Sequence, residues 1–148
     1  MLSPVVFLAL TLGLGGPADT EKDAPRKGPG LEVRPDVGDL SGYYTCKGLE
    51  AGGKSYSGVA LLLKKNDIYL IQWVIGGGST FSGIAIRQGE TLACSWAIPN
   101  DRGGVVRGVN LYKIEPGPRL TGRWASFPGP GVLQSETLTF LRKVETEE

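Results

Sequence analysis

One short pattern recurs at a fixed interval and limits what this chain can fold into. Ser57-Gly58-Val59-Ala60-Leu61 is followed 25 residues later by Ser82-Gly83-Ile84-Ala85-Ile86, and after another 25 by Arg107-Gly108-Val109-Asn110-Leu111. Tyr56 and Phe81 lead the first two copies. Each copy runs through a turn-forming stretch to one of the three tryptophans, Trp73, Trp96 and Trp124. Apolar alternation that reaches a turn and then resumes is the pattern of a β-hairpin. The repeat therefore predicts one hairpin used three times.

Turn formers divide the rest of the chain in the same way. Ala51-Gly52-Gly53, Asn66-Asp67, Gly76-Gly77-Gly78, Gln88-Gly89, Pro99-Asn100-Asp101, Pro116-Gly117-Pro118 and Pro128-Gly129-Pro130-Gly131 separate strands near 42–49, 54–64, 67–75, 79–88, 90–98, 104–115, 119–126 and 134–143. No window keeps a helical period. Eight short strands with short connections predict an all-β fold, an antiparallel up-and-down meander closed into a barrel, because closure leaves no unpaired edge. The barrel domain is placed at 41–143, with a short tail at 144–148.

Two segments precede it. Residues 1–18 form an uncharged, largely apolar run ending in small residues, too short for a comfortable membrane span. Although no Lys or Arg precedes the run, it reads as a signal peptide, which implies an exported protein with no membrane span once the segment is cleaved. Residues 19–40 are charged and rich in Pro and Gly, and read as a disordered spacer.

Alternation assigns faces to the strands. Leu92, Cys94 and Trp96 share an inward row, as do Tyr69, Ile71 and Trp73; Leu120, Gly122 and Trp124; Tyr44 and Cys46; and Leu138 and Phe140. A turn centred on Lys65-Asn66 sets Gly58 opposite Trp73; in the second hairpin a turn at Gly89-Glu90 sets Gly83 opposite Trp96, whereas one at Gln88-Gly89 pairs Phe81 with Trp96 and keeps the face. A ring over a bare glycine permits the bend a small barrel needs. The interior candidates for cradling a small apolar ligand are Tyr44, Tyr56, Tyr69, Trp73, Phe81, Trp96, Tyr112 and Trp124. An eight-stranded barrel can also be filled by its own side chains, and rings this large favour a filled interior. The opposite faces are apolar too. Val59, Leu61, Leu63, Leu70, Ile84 and Ile86 on neighbouring strands form a candidate partner surface.

The chemistry available is limited. The chain contains no histidine, which removes Ser-His and Cys-His pairs, His-ligated zinc and the usual proton carrier near neutral pH. Cys46 and Cys94 are too few for structural zinc, so no metal and no cofactor are expected; on inward rows they are either a disulfide or two buried thiols. Asp67, Glu90, Glu115 and Glu136 fall at strand ends or turns, where carboxylates ordinarily sit in water. The glycine runs lack the Lys-Ser/Thr of a phosphate loop. A net charge of +1 gives no pull towards nucleic acid.

The run Gly42-x-Tyr44-x-Cys46-x-Gly48, Tyr56-x-Gly58, Tyr69-x-Ile71-x-Trp73, Phe81-x-Gly83-Ile84, Leu92-x-Cys94-x-Trp96, Tyr112-x-Ile114, Leu120-x-Gly122-x-Trp124 and Glu136-Thr137-Leu138 resembles a group of short exported bacterial proteins. They are mostly uncharacterised, and some carry a fibronectin-binding label. The resemblance implies an up-and-down barrel similar to those of avidins and lipocalins, and it carries over no catalytic or binding residue. The expectation from sequence is thus a non-enzymatic exported barrel that binds an unknown protein or envelope component through its outer wall or loops. The alternative is a lipocalin-like carrier of a small apolar ligand. The oligomeric state is left open.

Overall fold

The computed structural model describes residues 37–145. The signal segment expected at 1–18 and residues 19–36 of the expected spacer lie outside the described residues. Eight strands follow one another: β1 (Gly42–Leu49), β2 (Ser55–Lys65), β3 (Ile68–Ile75), β4 (Ser79–Gln88), β5 (Thr91–Pro99), β6 (Val105–Glu115), β7 (Arg119–Phe127) and β8 (Gln134–Arg142). Their ends fall within a residue of those the turn formers predict. Each strand pairs antiparallel with the next, and β8 returns to β1 to close the barrel. No α-helix occurs among the described residues; Gly76–Gly78 make a single 3₁₀ turn.

The two ends differ. One carries the tight connections at Asn66-Asp67, Gly89-Glu90 and Pro116-Gly117-Pro118, and the other carries the longer loops 50–54, 76–78, 100–104 and 128–133. At the tight end the chain plugs its own barrel. Leu40 is wholly buried, and Val37 packs against the core. The Tyr44 hydroxyl donates to the Leu40 carbonyl at 2.7 Å, and Leu40 N donates to the Tyr69 hydroxyl at 3.3 Å. Tyr69 in turn donates to Asp39 Oδ1 at 3.2 Å. The folded part thus begins before Ser41. Composition misassigns Val37–Leu40 to the spacer because a single leucine, buried with its backbone groups satisfied, is invisible to a compositional window.

The predicted faces hold. Tyr44, Cys46, Tyr69, Ile71, Trp73, Leu92, Cys94, Trp96, Leu120 and Leu138 are all buried. Of the two predicted glycine pairings, Gly83 does face Trp96, with the Gly89 turn residue in the left-handed region at φ 58°. Gly58 does not face Trp73. It pairs with Ile75, and Trp73 pairs with Ala60. The turn lies one residue later than expected, on Asn66-Asp67. Asn66 adopts φ 54°, a left-handed conformation that asparagine tolerates better than the preceding lysine. Moving the turn centre by one residue shifts the pairing by two, so every side chain keeps its face.

The repeat's glycines are close-approach sites. A Cβ on Gly58 would lie 2.1 Å from the Val74 carbonyl oxygen, and one on Gly83 would lie 2.1 Å from that of Ser95. On Gly108 it would lie 2.0 Å from the Trp96 ring, which covers that glycine from the neighbouring strand. The first two let adjacent backbones converge, and the third seats the tryptophan.

Candidate functional site

The interior is filled at the plugged end but not at the other. Beneath the long loops lies a cavity of about 100 Å³, lined by Glu50, Tyr56, Trp73, Ile75, Phe81, Trp96, Asn110, Trp124 and Glu136. The expectation of a filled interior therefore fails at this end. The rings lie edge-on to one another: Tyr56 to Trp124 at 74° and Phe81 to Trp96 at 78°. Rings so arranged wall a space from several directions rather than stacking it shut.

Strand alternation puts a carboxylate in this space. In β8, Gln134, Glu136 and Leu138 all point inward, and Glu136 is only 5% exposed. The water-facing position expected for Glu136 is thus wrong. Its parity with Leu138 and Phe140, already assigned inward, was the available signal. Parity likewise puts Asn110 on the inward row of Tyr112 and Ile114, between the exposed apolar side chains of Val109 and Leu111.

Glu136 organises a polar network. Tyr56 donates to Oε2 at 2.8 Å, and Trp73 Nε1 donates to Oε1 at 3.2 Å. The Tyr112 hydroxyl and, at 3.4 Å, Asn110 Nδ2 also donate to Oε1. Asn110 is held from both sides, giving a 2.8 Å bond to the Tyr112 oxygen and accepting one of 2.8 Å from Trp96 Nε1. Trp73 and Asn110 can only donate through these nitrogens, and this donor set suits a carboxylate, which only accepts. Trp124 Nε1 is the exception. It is buried beside the Tyr56 oxygen yet makes no hydrogen bond of acceptable geometry. The Tyr56 and Tyr112 phenols are pushed well above the ordinary phenol range, first by burial and then by the Glu136 charge.

Of the eight interior candidates, Tyr56, Trp73, Phe81, Trp96 and Trp124 line the cavity. Tyr112 is not among the lining residues, and its hydroxyl donates to the lining carboxylate of Glu136. Tyr44 and Tyr69 belong to the plug at the other end. Cys46 and Cys94 stand as buried, unbridged thiols in the structure, the second of the two alternatives. The two strands that carry them are not neighbours in the closed sheet. Burial, and then the Glu136 charge, pushes both thiols far above the ordinary range.

The candidate partner surface lies on the outer wall. Leu63, Leu70 and Ile84 form one cross-strand row, and Ile86, Ala93 and Leu111 form another. Val59, Leu70, Ile84 and Ile86 are exposed, whereas Leu61 and Leu63 are half-buried. Among the described residues no helix is long and apolar enough to cross a membrane, and no group of three or more Cys, Asp or Glu is placed to hold a metal ion.

No protein-family model matches the sequence, and neither does any curated protein. Among solved structures the chain is similar to designed barrels. A redesigned β-barrel, mFAP1, bound to DFHBI, is 15% identical with a TM-score of 0.49; the match covers 70% of this chain and 94% of that one. A de novo designed fluorescence-activating β-barrel is 13% identical with a TM-score of 0.49, covering 69% and 94%. EF1p2_mFAP2b bound to DFHBI is 15% identical with a TM-score of 0.45, covering 70% and 94%. At such identities none of them bears on function.

Proposed function

We propose that this protein is a small-molecule-binding barrel, acting as an exported carrier rather than an enzyme, with its site in the open-end cavity. The observation that carries the reading is the pairing of an aromatic-walled space with a buried, pre-oriented carboxylate at its floor. Binding sites are concave, mostly apolar and furnished with a few fixed polar groups. At about 100 Å³ the cavity is smaller than the roughly 300–1,000 Å³ of drug-sized sites. It suits a head group or a single small ring whose remainder reaches the mouth. The absence of catalysis is supported by the polar groups themselves, since phenols with raised pKa values transfer protons poorly near neutrality. Export rests on the character of residues 1–18.

Tryptophan fluorescence tests the reading, because all three tryptophans line the cavity. A saturable change with one member of a panel of small aromatic, apolar and amine ligands is expected. No saturable change across the panel would count against a carrier. A second reading is favoured by the exposed rows through Ile84, Ile86 and Leu111: the outer wall docks a protein or envelope component. Retention of such a component on immobilised barrel, lost with Ile84→Lys, is its test.

A further inference from the structure

The cavity's lining carries charge of one sign. Glu136 stands at its floor and Glu50 at its mouth, and none of the nine lining residues is basic. Lys47 and Lys54 occur only in the wider depression around the rim. The hydrogen bonds described for the Glu136 carboxylate come from Tyr56, Trp73, Asn110 and Tyr112, all neutral groups. Neutral donors satisfy lone pairs but supply no counter-charge, and a buried carboxylate is ordinarily paired with a cation. Five rings, those of Tyr56, Trp73, Phe81, Trp96 and Trp124, surround the same space. The faces of such rings attract cations.

The network narrows the kind of cation. A carboxylate offers about four lone-pair positions; three of the protein's donors crowd onto Oε1 and one takes Oε2, which leaves at most a second lone pair on Oε2. A primary ammonium or a guanidinium has three or more donors to satisfy, and at the floor it would find only the second lone pair of Oε2 unless it displaced an indole or a phenol. A methylated ammonium needs no acceptor, because it presents charge through methyl groups to a carboxylate and to ring faces alike. The unpartnered Trp124 Nε1–H also calls for an acceptor, such as an oxygen placed near the cation.

We infer that the cavity takes a small quaternary ammonium compound bearing a nearby oxygen, with Glu136 as counter-ion and the ring cluster as its walls. This rests on the cavity being a ligand site, and the test separates the two claims. Calorimetric titration of the full chain compares choline with 3,3-dimethylbutan-1-ol, its neutral isostere, and with ethanolamine, its primary-ammonium analogue. Choline is expected to bind at least about tenfold more tightly than either. Equal or tighter binding of the neutral alcohol overturns the cation assignment and leaves the cavity reading standing. Tighter binding of ethanolamine overturns the quaternary class. Binding by none of the three overturns the inference, and if the wider fluorescence panel is silent too, the cavity reading falls with it. Glu136→Gln should bring the choline-to-alcohol ratio close to one. If circular dichroism shows that variant unfolded, Glu50→Gln at the exposed mouth should lower the ratio by a smaller factor. An unchanged ratio in the folded variant tested counts against the inference.

Discussion

Replacing Gly83 by alanine should destabilise the barrel strongly, against the ordinary propensity of the substitution. Glycine in a strand interior costs about 0.5–1 kcal/mol relative to alanine, so at an open site the change would stabilise. At Gly83 the new Cβ would sit 2.1 Å from the Ser95 carbonyl oxygen and 3.1 Å from Trp96 Cβ. The first of these atoms is backbone in a paired strand and cannot rotate away, so β4 and β5 must separate. Overpacking typically costs 1–3 kcal/mol, and an overlap with backbone belongs at the top of that range, about 3 kcal/mol. For a domain of this size 1 kcal/mol moves Tm by about 4–8 °C, which puts the fall at roughly 12–24 °C. Gly58→Ala should behave alike, since its Cβ meets the Val74 carbonyl oxygen at 2.1 Å. Gly38→Ala, with nothing within 4 Å of the added atom, is the control and should change Tm little or raise it. Thermal melts by circular dichroism decide the matter. If Gly83→Ala and Gly58→Ala melt with Gly38→Ala, the convergence of strands at the repeat's glycines is wrong.

The thiols, the tyrosines and the outer wall give three further expectations. Cys46 and Cys94 are buried with raised pKa values, so iodoacetamide should leave both untouched in the native barrel at pH 8 and modify both after denaturation without reductant; mass spectrometry counts the adducts, and a need for reductant would restore the disulfide. Tyr44, Tyr56 and Tyr112 all have folded pKa values above the ordinary 10.0. Their contribution to stability is therefore whole below that value and is lost as pH rises from there through the folded values. Their phenolate absorbance should appear only together with loss of near-ultraviolet circular dichroism, and reversible titration of all three near pH 10 in the intact barrel would contradict their burial. Ile86→Lys, on the exposed outer row, should shift stability by less than about 0.5 kcal/mol, and a much larger loss in a denaturant melt would mean that this face is covered.

The strands and their faces were legible because period-two alternation and turn chemistry are local signals, and in this chain they agree. The two departures in the fold came from effects that act at one residue. Asn66 accepts a left-handed φ and moves a turn centre by one place. Leu40 seats itself in the barrel by contacts with Tyr44 in the adjoining strand and with Tyr69 in β3, 29 residues on. Five of the cavity's rings were legible as interior aromatics, but its polar floor was not. Glu136 carries the parity of Leu138, yet its charge favours the expectation of water, and nothing local reveals that Tyr56, Trp73 and Tyr112 converge on it from three other strands. Whether an interior is hollow depends on how rings tilt against one another, which composition does not record.

The most direct measurement is a set of nitrogen–proton correlation spectra of the uniformly labelled protein, recorded as ligand is added. The three indole N–H groups, of Trp73, Trp96 and Trp124, report from three walls of one cavity. A ligand seated there should move all three indole peaks together, and the unpartnered Trp124 N–H should move most if it gains an acceptor. The amides around Leu40 at the plugged end should stay in place. If ligand leaves the indole peaks unmoved and shifts instead the amides of Ile84, Ile86 and Leu111 on the outer wall, the binding site is not the cavity.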